Sequence, residues 1–160
     1  VSGERAEESP ARAKYKTIQV HKTTTKTRTT IQWRPVHDWE EHQVWTVIRK
    51  HKINPHPAYR LGWGRLSCMK CIFGSIHQWA SIKKIDRAGF DKIADYEQDF
   101  GKTIHRQNTV NQQAALGMPY DNCSNQDLVE KAKAMVFDEP MIQDTWEVPA
   151  GAFGESNGPI

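Results

Sequence analysis

Two cysteines stand two residues apart, Cys68 and Cys71, in the stretch "LGWGRLSCMKCIFGS" at positions 61 to 75. At this spacing both sulfurs can face one metal ion or cluster, run dithiol chemistry, or pack as small apolar side chains. Tetrahedral zinc takes four ligands and a four-iron cluster usually takes four cysteines, so a metal would need at least two more groups. Within the chain the candidates are Cys123, His77 and His56, the last held between prolines in "NPHPAY" close to the pair. For a dithiol, the neighbouring Arg65 and Lys70 favour the thiolate.

A second stretch suits anions. In "SGERAEESPAR" a glycine, Gly3, lets the backbone approach a ligand, and Arg5, Ser9 and Arg12 offer charge-assisted hydrogen bonds to phosphate or sulfate oxygens. The same residues also read as a charged helix start with Glu-to-Arg pairs. Serine nucleophilic catalysis has no support, because the serine of "GAFGES" lacks an elbow motif. His37, His42, His51, His77 and His105 stand singly and read as surface or packing residues.

The elements that must position these groups are mostly helical. Residues 14–30 carry five Lys or Arg, six threonines after residue 22 and no acid. They read as a solvated loop or irregular hairpin, or alternatively as a basic flap over phosphate. Thr29 to Trp33 alternates like a strand that Pro35 ends. Asp38 and Glu41 form a capping-box pattern, with Val44, Trp45 and Ile48 on the helix that follows. Trp79, Ile82 and Ile85 predict another helix. Phe90, Ile93, Ala94 and Phe100 predict one more, stopped by Gly101. Ser124 to Asp127 predicts a cap ahead of a face made of Leu128, Val129, Ala132, Met135 and Val136. The glycine- and proline-rich tail is expected to be irregular.

The 160 residues, 38% of them hydrophobic, suffice for one real core. Three cysteines argue for a reducing compartment, and no run reaches the roughly 20 apolar residues of a membrane span, so a soluble, cytoplasmic protein is expected. The net charge of +3 is too modest to imply nucleic acid. Val1 and the glycine turn after it suggest a chain that begins inside a domain.

The order of motifs is informative. "GERAEESPARA" followed by "WRPVHDWEEHQVWTVIRKHKINPHPAYRLGWGRLSCMKCIFGS" resembles the C-terminal half of the phosphoadenosine phosphosulfate reductase family, in an uncharacterised phage and bacterial branch. The tail "PAGAFGES" is similar to that branch too. The resemblance implies an α/β fold, the C-terminal portion of an adenine nucleotide α-hydrolase-like domain, mostly helical here with a few short strands. It places that domain's C-terminal part at 1–106 and a helical extension with an irregular tail at 107–160. It implies that Gly3, Arg5, Ser9 and Arg12 face an adenine nucleotide or sulfonucleotide, with Arg65 adding charge. Cys68 and Cys71 match the second cysteine pair of the cluster-bearing members, so an iron–sulfur cluster, or zinc, would be completed by an N-terminal portion or a partner chain. Two family features do not occur: a Ser-Gly-Gly-Lys-Asp-Ser phosphate loop and a Glu-Cys-Gly-Leu-His tail. The 160 residues alone are therefore expected to be inactive. The alternative reading is an iron–sulfur or zinc module acting with a partner, including in nucleic-acid sulfur modification.

Overall fold

The computed structural model describes residues 1–66 and 68–154. Its backbone contacts divide it into a first unit, Val1–Val47, and a second that starts at Ile48.

In the first unit a short 3-10 turn, Ala6–Glu8, leads into helix α1, Pro10–Ala13. Strands β1, Ile18–Val20, and β2, Ile31–Trp33, then pair antiparallel with Ile18 opposite Trp33 and Val20 opposite Ile31. The basic, threonine-rich stretch is thus an irregular hairpin. Its threonines knit the loop: Thr30 N–H donates to Thr24 Oγ1 at 3.0 Å and Arg28 N–H to Thr25 Oγ1 at 3.1 Å. The hairpin leaves Ile18, Val20, Ile31 and Trp33 exposed on one face. Its other face carries Gln19 and Gln32, the latter reaching Ser2 and Glu4.

Helix α2, Glu41–Lys50, starts where the apolar stripe predicts and buries Trp45. The expected Asp38–Glu41 capping box does not form. Asp38 pairs instead with His37, and the helix start is served from afar: Glu41 N–H donates to the Glu7 carboxylate at 2.7 Å. A carboxylate there also meets the positive end of the helix dipole.

The second unit contains α3, Pro57–Leu61; α4, Ile76–Ile85; α5, Arg87–Phe100; α6, Val110–Leu116; a 3-10 turn, Asp121–Ser124; and α7, Gln126–Lys133. α4 packs on α5 and α6, and α3 packs on α7, so the helices after residue 106 share one core with those before it. Trp79, Ile82, Phe90 and Val110 are fully buried at its centre. α4 and α5 meet at Asp86, which ends one helix and caps the next by accepting from Gly89 N–H. α5 stops at Gly101 in the left-handed region (φ 57°), as its sequence predicts.

Two predicted faces are corrected. Phe100 is 72% exposed and stacks on Tyr96, because the inward stripe of α5 is Phe90, Ala94 and Glu97. Buried Glu97 receives Ile104 N–H and Val110 N–H, each at 2.9 Å, and so ties the loop after α5 to the start of α6. Met135 and Val136 are exposed rather than packed. Asn125, not Ser124, caps α7, and the helix ends at Lys133. Beyond it Glu139 draws the chain away, pairing with Arg60 and Lys131 and accepting from Asn54.

The segment from Glu139 then returns along residues 52–63. Asn54 N–H donates to Met141 O at 2.8 Å, Trp146 Nε1–H to Ile53 O at 2.9 Å, and Gly151 N–H to Tyr59 O at 2.8 Å. Gly151 is required there, since a Cβ would lie 2.2 Å from the Trp63 carbonyl oxygen. The tail is irregular through residue 154; the rest of it lies outside the described residues. Among the described residues no helix is long and apolar enough to cross a membrane.

Candidate functional site

The arginine loop lies in the first unit. Ser2 N–H bonds to Trp33 O and Ala6 N–H to His37 O, which pins the loop to the end of β2 and the turn beyond it. Ser9 caps α1 by accepting Arg12 N–H at 3.2 Å, and Pro10 at the first helical position suits that start. Gly3 is exposed, and a Cβ there would meet nothing within 4 Å. Arg5 pairs with Glu7 at 2.8 Å and Glu8 at 3.6 Å, and Arg12 pairs with Glu8. Glu8 therefore sits between the two guanidinium groups. A ligand anion has to share them with it or displace it.

Beneath this loop is a residue that sequence reading did not single out. Arg34, 3% exposed, donates to Glu4 and to Lys16 O and lies 4.6 Å over the Tyr15 ring. Its hydrogen bond holds the Glu4 carboxyl below the usual carboxylate range. No local spacing points to this partner, which is 30 residues away.

His37, read as a packing residue, is buried between two acceptors: the Arg12 carbonyl at 3.0 Å from Nε2 and Asp38 Oδ1 at 2.9 Å from Nδ1. Only the imidazolium can donate to both, so the Arg12 carbonyl, followed by Asp38, raises its pKa above the ordinary histidine value of 6.5. A raised folded-state pKa means that His37 adds its full stabilisation below about pH 6.5 and loses it as pH climbs through the higher folded value. The first unit should therefore loosen as pH rises through the folded value, above 6.5. His37→Gln should flatten that dependence, and an unchanged pH profile by hydrogen exchange at the Arg12 turn would rule this out.

The cysteine segment lies in the second unit. Cys68 is exposed and Cys71 is 8% exposed, in a run of turns that ends with Gly74 N–H bonded to Cys71 O at 2.8 Å. Lys70, between the cysteines, bonds to Asp86 at 2.5 Å and depresses that carboxyl. Gln78 Nε2–H donates to Met69 O at 3.0 Å. Both contacts fasten the segment to α4 and its junction with α5. Arg65 and Cys68 line a cavity of about 250 Å³ with His56.

The three candidate further ligands have other roles. His56 caps α3, its Nδ1 accepting Ala58 N–H at 3.2 Å. His77 Nδ1 accepts Met118 N–H at 3.0 Å. Cys123 is a buried core thiol whose pKa burial pushes up. Among the described residues no three His, Cys, Asp or Glu side chains gather as a metal site. These residues thus offer a thiol pair and no complete ligand set.

Residues 1–73 match the phosphoadenosine phosphosulfate reductase domain. Among individual proteins, an uncharacterized 37.8 kDa protein in the gpa 5' region of Escherichia phage 186 is 29% identical over 108 residues, covering 68% of this chain and 32% of that protein. The adenosine 5'-phosphosulfate reductase of Allochromatium vinosum is 38% identical over 37 residues, covering 23% of this chain and 14% of the enzyme. The chain thus spans well under two thirds of the length of either relative. No solved structure is significantly similar to it.

Proposed function

We propose that this chain is the C-terminal part of a phosphoadenosine phosphosulfate reductase-like protein that binds an adenine sulfonucleotide. The match of residues 1–73 to the family domain is the observation that carries this reading. In it, Arg5 and Arg12 hold the phosphosulfate end, and Gly3 and Ser9 shape the loop. Cys68 and Cys71 are two thiolate ligands of an iron–sulfur cluster or zinc site completed from outside these residues.

In the complete protein, reduction would begin with a cysteine thiolate attacking the sulfate sulfur. An S–S bond forms, the S–O bond to the nucleotide breaks, and the nucleotide leaves with that electron pair while arginines balance its charge. A dithiol then reduces the thiosulfonate and releases sulfite. No residue of this chain is assigned the attacking role.

Titration calorimetry with phosphoadenosine phosphosulfate tests the reading. Arg12→Ala and Arg5→Ala should each weaken binding about tenfold, the scale of one hydrogen bond to a charged group, and Glu8→Gln should tighten it by releasing both guanidinium groups. Absence of saturable binding, or arginine variants that bind as the parent does, would overturn it. Sulfite produced by the 160 residues alone with a dithiol would contradict the expected inactivity.

A further inference from the structure

The cavity beside Cys68 has a composition that the sulfonucleotide reading does not use. Its walls are apolar: Leu61, Leu66, Met69, Ile85 and Ala132. Its polar lining is one-sided. His56 and Lys133 contribute nitrogen donors beside Arg65, and among the described lining residues there is no aspartate or glutamate. Because His56 Nδ1 already accepts Ala58 N–H, the neutral ring carries its proton on Nε2 and has that N–H to donate. Lys133 is exposed, with its Nζ near the Ile85 carbonyl at 3.3 Å, at the end of α7.

Trp63 also forms part of the wall. Its ring is 4% exposed and packs edge-on against Tyr120, and its buried Nε1–H has no acceptor among the described residues. An apolar hollow with a few convergent polar groups is the usual form of a small-molecule site. A buried donor left without an acceptor is costly, and an occupant that brought an oxygen within its reach would relieve that cost.

We propose that this cavity binds a small organic anion, an aromatic or branched apolar body of about a dozen non-hydrogen atoms bearing one carboxylate or sulfonate. The apolar body fills the space between α3 and α7, and the acidic group meets Lys133. About 250 Å³ holds such a molecule, whereas a whole adenine sulfonucleotide with its ribose and phosphates is much larger. The site is also assembled partly by Ile85, Ala132 and Lys133, which lie beyond the 73 residues shared with the family domain. The proposal therefore stands independently of sulfonucleotide binding.

The experiment is calorimetric titration of the whole chain with 2-naphthoate and with its uncharged analogue 2-naphthylmethanol. 2-Naphthoate is expected to bind saturably, the alcohol at least tenfold more weakly. Lys133→Met keeps the side chain's bulk, lies on the surface, and should cost about tenfold in 2-naphthoate affinity. Ala132→Trp, checked for folding by circular dichroism, should abolish binding by filling the hollow; should it unfold, Lys133→Met still decides. Equal affinity for acid and alcohol, full affinity in Lys133→Met, or absence of saturable binding would each overturn the proposal. Competition by adenosine 5'-phosphosulfate would assign the cavity to the nucleotide and overturn it as well.

Discussion

Replacing Trp79 with alanine should cost the second unit about 3–5 kcal/mol, the range for emptying a buried large aromatic site. Trp79 is fully buried on α4 and meets Phe90 of α5 edge to face, with ring centroids 6.2 Å apart. Ile82 and Val110 are equally closed off from solvent, so no surface side chain can swing in to fill the space. Against a typical domain stability of about 5–15 kcal/mol, that loss removes much of the folding free energy. Urea denaturation followed by circular dichroism should show a much lower midpoint at similar slope. A loss below about 1 kcal/mol would mean that these helices do not close around the indole.

Glu97→Ala is the second large effect, by a different route. Its two carboxylate oxygens each take one backbone N–H, from Ile104 and Val110, and the bond to Val110 is buried. Truncation leaves both donors without a partner, at roughly 2–4 kcal/mol together. Glu97→Gln retains one carbonyl acceptor and turns an N–H toward the other donor, so it should fall between the parent and alanine. Hydrogen exchange supplies the specific readout. Protection should drop at Ile104 and Val110 before it drops in α4, and unchanged protection at both amides would sink the explanation.

What could be read in advance was what depends on near neighbours. The apolar spacing of Trp79, Ile82 and Ile85 and the glycine after Phe100 marked α4 and the end of α5 because helix periodicity and a left-handed cap act within a few residues. Thr109 and Gln112 close a reciprocal capping box on α6, a signal equally local. Pro57 opens α3 because proline needs no N–H partner at the first helical position.

The misreadings share a physical origin in long-range partners. Asp38 had the right spacing for a cap, yet Glu7, 34 residues from Glu41, took the role. Glu97 finds its partners only through the fold, which brings the amides of a loop and a second helix to it. For the site, the residue types of the arginine loop and cysteine pair were legible. That Glu8 lies between the two arginines, and that Lys70 is spoken for by Asp86, depended on folded geometry.

The returning segment has a consequence for the order in which this protein is made. Trp146 donates to Ile53 across 93 residues of chain, and Gly151 closes on Tyr59 and Trp63 only after it has been synthesised. At ordinary translation rates that is a delay on the order of 5–20 s. During it, the stretch leading to Cys68 and Cys71 has left the ribosome without its final backbone partners. Ile53, Asn54 and Tyr59 therefore emerge with backbone groups open to water and gain these partners only when the tail arrives.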